Sequence, residues 1–405
     1  MRQSTEEQSS TTRLFVPSLT LAFFSTYVIE LLTGLYLVDV AIEFFGSSNP
    51  VSIATASQLV TISSVAAVIA GLMVGVLSVR FSHKMLLLLG ISCVTIGILG
   101  CYLAQSFVLV QIFYPIEGVG TMVVGAMSFA LVGEFLMLSK RGKATGWIVA
   151  GGPIGGILAN FVASIFFKEA GASWRPFLLW FALPISLVAL VSVHFAVPSY
   201  SHRFTGRIGK DSYFSSFKKV FLKKSAAGCL LGNMMRQAGF AWGVFSITFF
   251  RTQFGVSLEL GTLISLGGAV VFTLAILTGG QLINRFGRKR LLVSTLIFSI
   301  PFLPLIAFIP NLWIALAVNW VGSFIYAMGF PGSVNLTLEQ TPEFRGTMMS
   351  MSSIFITLGF GLGTALGGTV LAFFENYLAV ILTFITLQFT AAAIYFFLTK
   401  DPCRT

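Results

Sequence analysis

The chain has 405 residues, 56% of them hydrophobic and only 10% charged, with a mean hydropathy of +0.91 and a formal charge of +11. A soluble chain carries roughly a quarter of its residues as Asp, Glu, Lys and Arg, so the deficit excludes an ordinary soluble enzyme or binding domain. Lipid is the expected solvent for most of the surface. The basic residues fall in short segments between apolar runs, and no basic domain is present to grip a phosphate backbone, so no nucleic-acid partner is expected.

The first segment, MRQSTEEQSSTTR, is polar, and no small-residue cleavage site follows the apolar run after it. It does not read as a removable signal peptide. A hydrocarbon core of roughly 30 Å needs about 20 apolar residues per helix, and runs of that length recur. The spans are predicted at about 14–38, 52–78, 85–104, 107–138, 143–167 and 176–197 in the first half. In the second they fall at about 225–250, 258–283, 291–309, 311–337, 346–372 and 377–399. The polar stretch 198–224 separates the two sets of six, so the domains are predicted as 1–197, a linker at 198–224, and 225–405. Within the linker Tyr213, Phe214, Phe217, Val220 and Phe221 recur at helical spacing among lysines. That pattern fits either a short helix lying on an anionic inner leaflet or a solvated linker whose lysines enforce topology.

With the N-terminus inside, 21 of the 25 Lys and Arg fall in internal segments, and only Lys168, Arg175 and Arg251 fall outside. The asymmetry predicts both termini on the cytoplasmic face of a plasma membrane, which for a bacterial or archaeal cell is the inner membrane. Cys93, Cys101, Cys229 and Cys403 form no paired spacing, and His83, His194 and His202 are dispersed, so no metal site is expected. No phosphate-binding Gly-x4-Gly-Lys-Ser/Thr loop occurs, and no lysine sits at mid-span. Neither a cofactor nor enzymatic activity is expected, and the energy source should be an ion or solute gradient.

The two halves repeat. GVLSVRFSHK at 75–84 matches GQLINRFGRK at 280–289, Glu134 to Arg141 matches Glu339 to Arg345, and Gly155 aligns with Gly359. Three matched elements at nearly one offset indicate a duplicated six-span unit, a common plan of transporters. The second copy, Gly280, Asn284, Arg285, Gly287, Arg288 and Lys289, resembles the Gly-x3-Asp-Arg-x-Gly-Arg-Arg/Lys signature of the major facilitator superfamily, with Asn284 in the acidic place. The first copy keeps Gly75, Arg80 and Lys84, but Val79 replaces the acid, Ser82 the second glycine and His83 the arginine after it. The resemblance implies an all-α membrane protein of twelve helices in two pseudo-symmetric six-helix bundles, working as a monomer. It also implies that Glu134, Arg141, Glu339 and Arg345 belong to a cytoplasmic charge relay, here weakened or differently built because the acids are missing.

Gly152-Pro153-Ile154-Gly155-Gly156 resembles the Gly-Pro-x2-Gly-Gly core typical of drug and proton antiporters, with Ile148 where an earlier glycine is expected. Small residues allow close helix approach and proline frees a carbonyl, so the stretch reads as a pliable seam or as plain packing. A further family motif, Arg-x2-Gln-Gly, is mostly lost: Tyr114 stands for the arginine and Glu117 for the glutamine, before Gly118.

Glu30, Glu117 and Arg236 fall near mid-span, where an ionisable group must face a cavity or a partner. In the resembled family spans one, four and seven line the central cavity, which implies two carboxylates confronting one arginine. A desolvated carboxyl that exchanges partners can load and release a proton; a fixed ion pair, or an arginine placed for an anionic solute, is the alternative. Tyr27, Tyr114, Asn233, Gln237, Asn319 and Tyr326 are further candidates for a substrate cavity. The favoured function is proton-coupled export of amphipathic small molecules by alternating access. The alternatives are uptake or facilitated diffusion of a nutrient or organic anion, and a transport-inactive sensor on the same fold.

Overall fold

A computed structural model of the chain describes residues 13–29, 35–78, 81–136, 138–169, 174–198, 221–341 and 345–402. Glu30, Arg80, Val79, Cys403 and nearly all of the linker lie outside these residues. So do the side chains of Gly75, Arg141, Asn284 and Arg345.

Every described element is a helix, as lipid demands when no water is at hand to satisfy backbone groups. In chain order they are α1 (Phe15–Tyr27), α2 (Leu37–Phe45), α3 (Pro50–Leu77), α4 (His83–Leu103), α5 (Phe107–Phe135), α6 (Leu138–Glu169) and α7 (Arg175–Ala196). After the linker come α8 (Lys224–Phe240), α9 (Trp242–Phe254), α10 (Leu258–Phe286), α11 (Arg288–Ser299), α12 (Phe302–Phe308), α13 (Leu312–Met328), α14 (Phe330–Gln340), α15 (Arg345–Phe374) and α16 (Tyr377–Leu398). Among the described residues, nine helices are long and apolar enough to cross a membrane, counting the α11–α12 and α13–α14 pairs as one each.

Several predicted spans are broken, and proline explains most of the breaks. Pro301 precedes α12 and Pro331 sits in the first turn of α14, where neither supplies the backbone N–H that a continuous helix needs. Pro184 follows a π-helical stretch, Leu178–Ala182, inside α7, where the wider turn absorbs the lost hydrogen bond. Among the described residues, the predicted span 14–38 contains α1 and the start of α2, which runs from Leu37 past its predicted end.

Contacts group the chain into two compact units: Met1–Leu32 with Ile62–Arg203, and Thr33–Thr61 with Phe204–Thr405. The first unit is cored by Phe15, Leu19 and Ala22 of α1, Leu87 and Ile91 of α4, Val124 and Leu131 of α5, Ile148 of α6 and Val193 of α7. The core of the second includes Leu230 of α8, Leu292 and Leu296 of α11, Leu336 of α14, Met348 and Met351 of α15, and Ala391 and Tyr395 of α16.

Glycine sets the closest helix approaches. In the first unit a Cβ on Gly151 would lie 2.7 Å from the Thr20 carbonyl oxygen, and one on Gly155 2.9 Å from that of Phe24, so α6 rides directly on α1. In the second, Gly359 and Gly363 leave only 2.1 and 2.2 Å to the Met234 and Ala238 carbonyls, which seats α15 on α8 in the same way. The repeated seam is a structural counterpart of the matched glycines.

Candidate functional site

The signature segments are built differently in the two copies. Gly287 has φ +82°, a conformation that favours glycine, and it turns the chain sharply from α10 into α11. In the first copy Ser82 stands in that place with φ −66°, and its hydroxyl caps α4 by accepting from the Met85 N–H. The turn no longer needs a glycine, which accounts for that departure. His83, which replaces the arginine, lies 2.8 Å from the Glu134 carboxylate through Nδ1, so Glu134 keeps a partner that is cationic when the imidazole is protonated.

The basic end of each copy does one job twice. Lys84 Nζ donates to the His194 carbonyl at 2.7 Å, and Lys289 Nζ donates to the Phe396 and Thr399 carbonyls at 2.8 and 2.7 Å. Each ammonium thus satisfies free carbonyls at the C-terminal end of the last helix of its half. A Cβ on Gly280 would meet nothing within 4 Å, whereas one on its neighbour Gly279 would collide with the Met328 carbonyl, so Gly279 makes the close approach. Glu339 lies on α14, half-buried, and Arg285 and Arg288 flank the Gly287 turn.

Within the first unit Glu117 is 4% exposed and accepts a 2.6 Å hydrogen bond from the Thr121 hydroxyl one turn on. A Cβ on Gly97 would lie 2.6 Å from the Glu117 Cβ, so α4 presses against α5 at the carboxylate's own turn. At the next residue, Gly118, an added Cβ would collide with the Ser63 hydroxyl of α3. Glu117 is therefore held at a tight junction of three helices. Tyr114 is buried one turn before it. Gly152 abuts the Tyr27 ring at 2.7 Å, Pro153 is exposed, and Gly156 meets nothing within 4 Å.

In the second unit Arg236 of α8 is 1% exposed. Its guanidinium carbon stands 4.3 Å over the Phe330 ring, and none of its three nitrogens has a hydrogen-bond partner among the described residues. The Tyr326 and Tyr395 hydroxyls are its polar neighbours but direct their protons elsewhere, Tyr326 to the Arg236 carbonyl and Tyr395 to the Asn233 carboxamide oxygen, each at 2.6 Å. Asn233 itself donates to Thr337 at 2.9 Å and Ser352 at 3.0 Å, locking α8 to α14, α15 and α16. Asn233 is thus a structural knot. Gln237 keeps an unbonded buried carbonyl oxygen one residue from Arg236.

One turn along α8 a partly open cavity of about 90 Å³ is walled by Phe240, Trp242, Phe272, Asn319, Tyr326 and Gln388. Phe240 stacks on Tyr326 at 6.1 Å and 11°, and Phe272 reaches both Phe240 at 5.3 Å and Phe330 at 6.1 Å. Of the predicted cavity residues, Asn319 and Tyr326 line this space, and Asn319 accepts from the Trp242 indole N–H at 3.4 Å. Phe240, Phe272, Trp242 and Gln388 were not singled out from the sequence, where nothing distinguishes them among 41 phenylalanines and scattered polar residues.

The segment Thr33–Thr61 contributes charge as well. Arg251, at the end of α9, grips both Asp39 carboxylate oxygens at 2.5 and 3.2 Å and the Leu35 carbonyl at 2.9 Å. The Thr61 and Thr364 hydroxyls bond at 3.0 Å, and Gly368 accommodates Ser57 and Gln58 of α3.

These features define a polytopic helical transporter. The profile of the Major Facilitator Superfamily matches residues 18–280 and 237–404, and the chain belongs to that family. It is 24% identical over 308 residues to the uncharacterised MFS-type transporter YceJ of Bacillus subtilis, covering 73% of this chain and 74% of that protein. It is also 24% identical over 369 residues to Multidrug resistance protein 3 of the same organism, covering 77% and 71%. Among solved structures, a D-xylose-proton symporter superposes with a TM-score of 0.78 at 15% identity, covering 96% of this chain and 97% of that one.

Proposed function

We propose that the protein is a secondary transporter that exports amphipathic small molecules in exchange for protons by alternating access, from twelve spans in two pseudo-symmetric six-helix bundles with both termini cytoplasmic. The observation that carries coupling is Glu117: a carboxyl buried among three helices and accepting from the Thr121 hydroxyl at 2.6 Å is a group whose protonation depends on its surroundings. The aromatic cavity beside α8 supports an amphipathic solute, since its walls are rings with a few amide and hydroxyl groups. The similarity to Multidrug resistance protein 3 points the same way. The glycine seams of α6 on α1 and α15 on α8 supply the close, smooth contacts along which helices slide. The glutamate and arginine positions 30, 117 and 236 serve as coupling and substrate groups, and the signature segments with Glu134 and Glu339 serve as gates.

Uptake or facilitated diffusion of an organic anion is the second reading, favoured by the buried guanidinium of Arg236, which no described carboxylate balances. Proton movement driven by solute flux in proteoliposomes separates the two. Exchange acidifies the lumen as solute leaves, symport makes it alkaline, and facilitation leaves it unchanged. A lumen pH that never responds to measurable solute flux would refute exchange.

A further inference from the structure

Arg236 presents an unbalanced charge. A guanidinium taken out of water costs several kcal/mol unless its donors and its charge are met. The Phe330 face, 4.3 Å away, attracts the cation but accepts none of the five N–H groups in the usual sense. The two nearby tyrosine hydroxyls, neutral and already donating to carbonyl oxygens, are the polar groups at hand, and no described carboxylate balances the guanidinium's charge. Asn233 and Thr337, which could accept, are committed to each other and to Ser352. Asp39 of the same unit is already held by Arg251. An arginine fork kept dry and open in this way matches a planar oxyanion.

The surroundings say what the anion is attached to. Phe330, which covers the guanidinium, touches Phe272, and Phe272 and Tyr326 form the wall of the cavity one turn along α8. The cavity offers rings and neutral amides, and no described charged side chain lines it. We propose that Arg236 is the counter-ion for the oxyanion head of an amphipathic organic anion whose apolar body occupies the Phe240–Phe272–Tyr326 cavity of the same unit. The ligand is a single amphiphile: a carboxylate, sulfonate or phosphate ester on an aromatic or alkyl body. The proposal rests on the transporter reading for the route by which the ligand enters.

The test uses the full-length protein in detergent and three probes that share one body: a naphthalenesulfonate, naphthylmethanol and naphthylmethyl-trimethylammonium. Binding is read by calorimetry or by fluorescence of the probe. The sulfonate should bind at least about tenfold more tightly than the alcohol, the ratio expected when a charged hydrogen-bonding partner is gained, and the ammonium should bind more weakly than either. Arg236→Gln should bring the sulfonate down to the alcohol while leaving alcohol binding in place, which also shows that the cavity is intact. Arg236→Lys should retain part of the preference. Equal binding of the three probes by the unaltered protein overturns the proposal without any variant, as does a sulfonate preference that survives Arg236→Gln. If the sulfonate is bound through Arg236 but no probe is moved by proteoliposomes, the site stands and the transporter reading falls. If the ammonium or alcohol is transported and the sulfonate is not preferred, the opposite holds.

Discussion

The Asp39–Arg251 pair joins α2 to the end of α9, at the side that the proposed topology puts outside. Its side chains are 15% and 9% exposed, so the interaction is little screened by solvent. Asp39→Asn removes the charge and leaves Arg251 held by the Leu35 carbonyl. Hydrogen bonds to charged groups are worth about 1.5–3 kcal/mol, so the equilibrium between the packed arrangement of Thr33–Thr61 and a separated one should shift roughly 10- to 150-fold. The Thr61–Thr364 hydroxyl contact reports that separation, because Thr364 is fully buried in the packed arrangement. In a background lacking the native cysteines, Thr364→Cys should react slowly with an impermeant maleimide added outside, and at least tenfold faster when Asp39→Asn is added. The double change Asp39→Asn with Arg251→Gln should react more slowly than Asp39→Asn alone, since an uncompensated buried charge is costlier than none. An unchanged labelling rate in Asp39→Asn would refute the reasoning.

Further predictions concern packing, the gate and topology. Gly155→Ala, whose Cβ would meet the Phe24 carbonyl at 2.9 Å, should lower the unfolding temperature by several degrees and slow transport. Gly156→Ala, with nothing within 4 Å, should leave both unchanged, and equal effects would sink the seam. Gly155→Leu should abolish transport outright. In a double-mutant cycle, His83→Ala and Glu134→Gln should be non-additive in thermal stability, and strict additivity would mean that the 2.8 Å contact contributes nothing. Reporter fusions at Lys224 and Thr405 should both score cytoplasmic, and an outside signal from either would overturn the topology.

The all-helical fold and its apolar spans were legible because they depend on local length and apolarity along the chain. The breaks at Pro301 and Pro331 carried a visible signal in the prolines themselves. Ser82 and His83 looked like losses from a motif, and their roles as a helix cap and as the partner of Glu134 needed the packed helices to become visible. Arg236 was legible as an expensive residue at mid-span, but that its described neighbours are neutral, the Phe330 ring and the Tyr326 and Tyr395 hydroxyls, depends on the packed helices. The Asp39–Arg251 pair joins residues 212 positions apart, and no local pattern announces it. The aromatic cavity was hidden by abundance, because Phe240 and Phe272 differ from lipid-facing phenylalanines only in what surrounds them.

The central claim, exchange of a solute for protons through Glu117, is tested most directly by lumen pH in proteoliposomes loaded with the naphthalenesulfonate or its ammonium analogue, both permanently charged and slow to leak. The account predicts that release of a transported probe acidifies the lumen in the unaltered protein, and that Glu117→Gln abolishes the acidification while probe exchange continues. Alkalinisation during release, or acidification that persists in Glu117→Gln, would contradict it.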